Sequence, residues 1–496
     1  MMPIKTSLGL IEGTADGKTT RYAGIPYAKP PLGELRFRAP VPVEPWEGVL
    51  KADHFEKDPM QDYQNRPRTD FSEDCLYLNV WVPEQTEGEQ LPVMIWIPGG
   101  AYATGGCGAP RPEGPSLYEG ALMATDMQAI VVTVSYRLNI FGFLNLSGLS
   151  DRFDDHLGLK DLVLAMKWVR DNIAAFGGDP GNVTLFGESA GAGCISTLFM
   201  VEEAQSLYHR AIMQSNCLGS YYTPEEEGDI CRKFLSLAGL AETDAEGLLA
   251  LDYDTLYQAA AKLNVYALTT YFPRCTFCPV VDGNYVKDYP TLADYTSFGK
   301  AILIGTNRYE GNFLMKSMKM TKEQSGALAR NAFHRLPEEK VNELVATYPL
   351  PGQQAIADVL TDVMYTFPKH RWAERASRYV PVYVYRYDYA TPVMNLMGFK
   401  ACHVAEMLPL WNITAEPYKA LRKLGEKKLQ AIGTRMRKYW GAFARTGVPE
   451  VAGQAAWPAY DEKERQTLVI DTTDHAESYA EKARMERFDG LDRIVV

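Results

Sequence analysis

The chain has 496 residues, with 51 Lys or Arg against 62 Asp or Glu, for a net charge of −11. A negative balance spread along the chain opposes binding to nucleic acid or to an anionic membrane surface. No apolar run approaches the roughly 18 residues that a membrane-crossing helix needs, and the length alone suggests several domains.

In chain order, apolar and β-branched runs predict strands at Ile4 to Ile11, Leu76 to Val82, Val93 to Ile97, Ile130 to Val134, Val183 to Phe186, Ala211 to Gln214, Ala301 to Ile304, Val382 to Tyr387 and Thr467 to Ile470. Helical patterns fall between several of them, which is an alternating α/β layout. The helix predicted over Gly158 to Ala175 carries its inward stripe in Leu162, Met166, Val169 and Ile173. Another, Tyr418 to Arg445, stops before Gly447 and Pro449. Acidic, helix-rich stretches around 223–262 and 320–375 read as insertions that cap the carboxyl edge of the sheet. No internal repeat, low-complexity tract or flexible linker interrupts the chain.

The first chemical signal in chain order is LPVMIWIPGGAYATGG, a core strand followed by Gly99, Gly100 and Ala101. Such a turn is suited to bring backbone amides up to a developing negative charge, although it also fits a plain loop. The second is NVTLFGESAGAGC. It places Ser189 at the centre of G-x-S-x-G between a strand-like run and a helix-compatible run, the pattern of a nucleophile elbow. A serine hydroxyl is a weak nucleophile at neutral pH, so this reading requires a histidine base and an acid that orients it.

Chain order in hydrolases with this elbow runs Ser, then Asp or Glu, then His. Of the seven histidines five follow Ser189, and of these His209 lies very near the elbow and His475 in a charged tail, which leaves His334, His370 and His403 at a useful distance. His403, in GFKACHVAEMLPLW, is placed as in a loop after a strand. Its local context also fits a satisfied structural histidine. Glu310, in AILIGTNRYEGNFL, follows a strand's carboxyl end, where ligands gather in open α/β sheets, and a solvated turn glutamate is the competing reading. Asp282, in PVVDG, is a rival acid that an Asp-Gly turn explains without chemistry.

Across nearly its whole length the chain resembles the type-B carboxylesterases, the carboxylesterase, para-nitrobenzyl esterase and cholinesterase-like α/β-hydrolases. The resemblance runs through GIPYAKPPLGELRFRAP, SEDCLYLNVWVP, WIPGGAY, SYRLNIFGFL, GLKDLVLAMKWVRDNIAAFGGDPGNVTLFGESAGA, AIMQS, PVVDG, GTNRYEG, the His403 loop and WPAY. It implies an α/β-hydrolase fold, a central mostly parallel mixed sheet flanked by helices, forming one domain over 1–496. It further implies that Ser189, Glu310 and His403 form a catalytic triad and that the amides of Gly100, Ala101 and Ala190 form an oxyanion hole. Ser215 matches a serine that supports the triad. Arg36 with Glu73, and Arg137 with Asp161, match structural ion pairs. Tyr102, Asn216, Cys217, Leu218, Tyr221 and Tyr222 fall near the triad by resemblance, as pocket lining or as core.

Two departures stand out. Pro98 replaces the family's usual His or Tyr before the Gly pair, and proline fixes φ and has no N–H. Cys75 matches a cysteine that in secreted members pairs with one upstream, and no cysteine precedes it here. Cys275 and Cys278 make a single C-x-x-C without a second pair or a flanking His, so neither a zinc nor a redox role is expected. The amino terminus, MMPIKTSLGLIEG, lacks the apolar core of a secretory signal. With unpaired Cys75 it predicts a cytoplasmic protein, and the sequons at Asn145, Asn182 and Asn412 then carry no meaning.

The expected activity is hydrolysis of small carboxylic esters through an acyl-enzyme, with no metal or cofactor and no nucleic-acid or membrane partner. The chain is expected to be a monomer or a homodimer. The alternatives are a non-catalytic binding protein on the same fold, and an amidase or sugar-ester hydrolase.

Overall fold

Val93, Ile95 and Ile97 face one side of a strand and Met94 and Trp96 the other, and all five are at most 1% exposed. A strand buried on both faces reads as a continuous apolar run, and helices must cover both sides of its sheet. The computed structural model describes residues 2–61, 66–84, 88–108, 117–296, 298–317, 321–416 and 418–491. Residue 320, the first of the second expected insertion, lies outside them.

The strand belongs to an eleven-stranded sheet. Its members are Thr14–Asp16 (β1), Thr19–Pro26 (β2), Tyr77–Pro83 (β3), Leu91–Ile97 (β4), Ile130–Val134 (β5), Gly178–Glu188 (β6), Arg210–Gln214 (β7), Ala301–Asn307 (β8), Val382–Tyr387 (β9), Gln466–Ile470 (β10) and His475–Ser478 (β11). Their spatial order is β11-β10-β9-β8-β7-β6-β4-β5-β3-β2-β1. The seven from β4 to β10 run parallel, and antiparallel strands finish both edges. This is the α/β-hydrolase architecture.

The order also locates the site. After β4 the chain goes to β5 on one side, then crosses back to β6 on the other. Connections leave the carboxyl ends of β4 and β6 in opposite directions, which opens a crevice there.

The helix Leu157–Asn172 buries Leu162, Met166 and Val169 on one face of the sheet, and Ile173 continues the stripe in a 3₁₀ turn that Gly177 ends at φ 83°. On the other face the helix Glu426–Thr446 buries Leu429, Ile432, Met436, Trp440 and Phe443. The single helix expected from Tyr418 to Arg445 is interrupted. Tyr418–Arg422 is separate, because Leu424 takes φ 61° and Gly425 follows it out of helical geometry.

The strand expected over Ile4 to Ile11 is two short ones, Ile4–Lys5 and Leu10–Glu12, joined by a turn in which Thr6 N–H donates to Gly9 O. Both insertions are helical. The first holds Pro224–Leu237, Ala245–Ala250 and Tyr253–Thr270, running past residue 262, and its opening helix starts at a Thr223–Glu226 capping box. The second holds Lys322–Asn331, Glu338–Ala346, Gln353–Leu360, a π-helical stretch Thr361–Thr366 and Phe367–Ala376. Phe333, Leu344, Ile356, Val359 and Val363 pack these helices over Cys217.

Candidate active site

Ser189 sits between β6 and the helix Ala190–Leu198, with φ 55° and ψ −123°. That conformation is strained for a residue with a Cβ. Its surroundings enforce it: Ser189 N–H donates to Gln214 O at 2.9 Å, and Ser189 O accepts from Gly193 N–H at 2.9 Å. The turn is tight enough that a Cβ on Gly191 would stand 2.0 Å from Ile97 O. Only glycine lets the elbow helix approach β4 so closely.

From the Ser189 hydroxyl a chain of contacts runs inward. His403 Nε2 is 2.8 Å from Ser189 Oγ, and His403 Nδ1 is 2.7 Å from Glu310 Oε2. Glu310 Oε1 accepts from Ser215 Oγ at 2.7 Å and from Asn307 N–H at 2.6 Å. Ser189, Glu310, His403 and Ser215 are all 6% exposed or less. Their three loops are also joined through backbone, since His403 N–H donates to Glu310 O at 3.2 Å and Ser215 N–H to Gly305 O at 2.8 Å. A carboxylate on Nδ1 fixes the imidazole so that Nε2 faces the hydroxyl.

The turn after β4 meets the same point. Gly99 lies so close that a Cβ there would come within 2.5 Å of Glu188 O and 3.0 Å of Ser189 Cβ. Gly100 takes φ 121° and Ala101 φ 54°, and their amides have no acceptor among the described residues. Ala190 opens the elbow helix, so its amide has no intrahelical acceptor. Pro98 does not disrupt this turn. Its carbonyl is anchored by the Tyr136 hydroxyl at 2.8 Å, and its missing N–H is not one of the three amides.

The carboxylesterase family model matches residues 2–488. The chain belongs to the carboxylesterase family. It is 35% identical over 498 residues to the para-nitrobenzyl esterase of Bacillus subtilis (strain 168), covering 98% of both chains. It is 30% identical over 511 residues to carboxylesterase 1D of Rattus norvegicus, covering 93% of this chain and 87% of that one. Among solved structures it is similar to a PNB esterase with a TM-score of 0.86 at 33% identity, covering 98% of this chain and 99% of that chain. A carboxylesterase of Geobacillus stearothermophilus gives 0.84 at 32% identity, covering 98% and 100%. The chain is accordingly a carboxylic-ester hydrolase, a serine hydrolase of type B.

Two buried glutamates that the motif analysis did not single out crowd this carboxylesterase's site. Glu188 Oε1 is 3.3 Å from His403 Nε2, and Glu406 Oε1 accepts from Tyr385 OH at 3.1 Å. Burial pushes the Glu188 carboxyl up to about 7, with His403 opposing and Glu310 adding to it. Burial, then the nearby Glu310 and Glu188 charges, likewise raises Glu406. Burial alone draws the His403 imidazole down, but the Glu188 charge and the Glu310 hydrogen bond outweigh it and place it at about 9. Glu188 directly precedes Ser189, a position any elbow brings under the nucleophile, and that was the available signal. Glu406 had none.

The remaining candidates fall elsewhere. Asp282 caps its own turn, accepting from the amides of Asn284, Tyr285 and Val286, and contacts His156. With Asp155 these form a compact carboxylate–imidazole group, but Lys160 Nζ already occupies Asp155 at 2.8 Å, which disfavours a cation. His334 bonds the backbone of Asn331, and His370 pairs with Glu481. Tyr102 is fully buried, its hydroxyl against Gly193. Tyr221 is 3% exposed and its hydroxyl lies 2.9 Å from Ser196 Oγ, while Leu218 is 1% exposed. The rings nearest His403 are instead Tyr365, at 5.0 Å between centroids, and Phe313, at 6.4 Å. Tyr365 lies in the π-helical stretch, a local irregularity often found at functional sites and invisible to periodicity.

The ion pairs Arg36–Glu73 and Arg137–Asp161 are both bidentate, with contacts of 2.7–2.8 Å. All eight cysteines are free thiols, Cys75 among them. No helix among the described residues is long and apolar enough to cross a membrane.

Proposed function

We propose that Ser189, His403 and Glu310 hydrolyse carboxylic esters through an acyl-enzyme, within one catalytic domain that spans residues 1–496. His403 Nε2 takes the Ser189 proton as Oγ attacks the ester carbonyl. Glu310 holds the tautomer and stabilises the imidazolium. The amides of Gly100, Ala101 and Ala190 receive the oxyanion, His403 then protonates the departing alcohol, and water repeats the sequence to release the acid. Ser215 supports the relay by donating to Glu310. Tyr102, Leu218 and Tyr221 line the substrate pocket by family resemblance, and Phe313 and Tyr365 are the rings nearest His403. Small, predominantly apolar esters fit these walls.

The observation that carries this reading is the unbroken relay of three buried side chains, 2.8 Å and then 2.7 Å, that ends on a strained serine. A binding protein on the same fold has no need of such strain. The test is hydrolysis of a para-nitrophenyl ester series from acetate to laurate by the wild-type chain and by Ser189→Ala. Turnover that vanishes in the variant supports the serine mechanism, and the chain-length optimum sizes the pocket. A folded wild type that is inert toward every ester would overturn it, and amide or sugar-ester turnover above ester turnover would favour the alternative hydrolase.

A further inference from the structure

The π-helical stretch Thr361–Thr366 stands between the triad and the last described segment of the chain. Toward the triad, Thr361 Oγ1 accepts from Gly311 N–H at 3.0 Å, at the residue directly after Glu310. The approach is close enough that a Cβ on Gly311 would come within 2.1 Å of Ala357 O. Tyr365, about one turn along, holds its ring 5.0 Å from that of His403. Away from the triad, Asp362 is fully buried and accepts from Arg487 Nη1 at 2.8 Å, from Tyr348 OH at 2.8 Å and from Arg484 Nη1. Both arginines belong to the helix Lys482–Met485 and the 3₁₀ turn Glu486–Phe488. Phe488 seats that segment against Phe367, with 4.9 Å between ring centroids.

We propose, resting on the relay of Ser189, His403 and Glu310 assigned above, that Asp362 is a positioning residue for the triad. Gripped by Arg484 and Arg487, it fixes the π-helical stretch so that Thr361 holds the Glu310 loop and Tyr365 braces the His403 ring. A second tie runs parallel to it. Lys369 Nζ donates to Glu481 at 2.7 Å and to Thr306 Oγ1 at 3.0 Å, one residue before Asn307, whose N–H donates to Glu310 Oε1 at 2.6 Å. The segment Glu481–Phe488 thus reaches the Glu310 loop at residues on both sides of the acid.

Stability does not account for the Asp362 cluster. Burial raises its carboxyl above the ordinary value even with both arginines and the Tyr348 hydroxyl opposing it. The ionised group therefore costs the fold stability at neutral pH. A buried ion cluster can instead select one conformation among close alternatives. Here the selected conformation is a π-helix, which is rare and frequent at functional sites. If it relaxes, the base and the acid lose their supports together, and a displacement of about 1 Å in such a site costs on the order of 10²-fold in rate.

The test compares Arg487→Ala, Arg487→Lys, Thr361→Val and Leu162→Ala with the wild-type chain in para-nitrophenyl acetate kinetics, at a temperature where circular dichroism shows each to be folded. Arg487→Ala and Thr361→Val are expected to lower kcat by roughly tenfold to a hundredfold with KM little changed. Arg487→Lys, which returns a cation to Asp362, recovers most of the loss. Leu162→Ala opens a cavity in the core helix Leu157–Asn172 and keeps the wild-type kcat, so lost stability alone does not mimic the effect. Thr361→Val, which removes only the acceptor for Gly311 N–H, decides the matter should Arg487→Ala not fold. Wild-type kcat in folded Arg487→Ala or in Thr361→Val, or an equal loss in Leu162→Ala, would overturn the proposal. Proton NMR gives a readout that needs no turnover: the downfield His403 Nδ1–H resonance, assigned by its absence from His403→Gln, shifts or broadens in Arg487→Ala. An unchanged resonance refutes the positioning role, whereas a wild type inert toward esters refutes the esterase reading.

Discussion

Glu188 Oε1 lies 3.3 Å from His403 Nε2, the same nitrogen that faces Ser189 Oγ at 2.8 Å. Glu188 Oε1 accepts no hydrogen bond, so the two groups interact through charge. The carboxylate therefore favours the imidazolium that forms when Ser189 gives up its proton. It also favours a proton on the resting histidine, which must be neutral to act as a base. Burial lowers the imidazole, but Glu188 and then Glu310 raise it to about 9, so kcat/KM climbs with pH as that proton leaves. Glu188→Gln removes the leading upward influence and moves the climb to lower pH. A pH profile of kcat/KM on para-nitrophenyl acetate reads the shift, and a midpoint that stays put refutes it.

Glu310→Gln keeps the size of the side chain but offers Nδ1 of His403 no charge and the wrong tautomer partner. A fall in kcat on the order of 10⁴-fold is expected. Ser215→Ala removes one of the two short donors to Glu310 Oε1, the other being Asn307 N–H. A hydrogen bond to a charged group contributes about 1.5–3 kcal/mol, so a loss of roughly tenfold or more in kcat is expected there. Equal losses in the two variants would contradict the division of roles.

Gly100→Ala places a Cβ 2.2 Å from Thr104 O at a backbone φ of 121°. The turn must shift, and with it the amide proposed to receive the oxyanion. Because that amide binds charge present only in the transition state, kcat is expected to fall on the order of 10²-fold or more with KM little changed. Steady-state kinetics separate this from lost substrate binding, which would raise KM instead.

Glu481 accepts from Lys369 Nζ at 2.7 Å and contacts His370, all three buried. Burial raises the Glu481 carboxyl, but Lys369 and His370 together hold it well below its ordinary range. A lowered carboxylate contributes stability that is present above its unfolded value of about 4.3 and lost as pH falls toward the folded one. Glu481→Gln strands the Lys369 charge and is expected to cost about 3–5 kcal/mol near neutral pH. The difference from wild type shrinks in acid. Denaturant unfolding at both pH values checks it, and a constant difference would sink the assignment.

Much of this was legible in the chain. The β4 to β10 strands announce themselves because burial on both faces demands unbroken apolar runs, as in Val93 to Ile97. The strands Thr14–Asp16 and Thr19–Pro26 escaped because the first has no buried residue and the second mixes threonines, an arginine and a glycine into its run, which blurs into turn composition. The break at Leu424 escaped because a left-handed leucine is chosen by packing, not by local propensity. At the site, Ser189 and the glycines were readable because a tight turn restricts residue type. Glu406 and Tyr365 were not, since Glu406, three residues after His403, carries no motif of its own, and Tyr365 reaches His403 from a distant part of the chain.

The crossover between β4 and β6 has a kinetic corollary. The Ser189–His403 contact closes a loop of 214 positions and the His403–Glu310 contact one of 93. No short segment of the chain can therefore assemble the reactive centre by itself. Contacts so distant along the chain form slowly, because the entropy of closing large loops is lost before they return any stabilisation. During refolding, catalytic power should be among the last properties to return, which makes turnover a stringent reporter of the finished sheet.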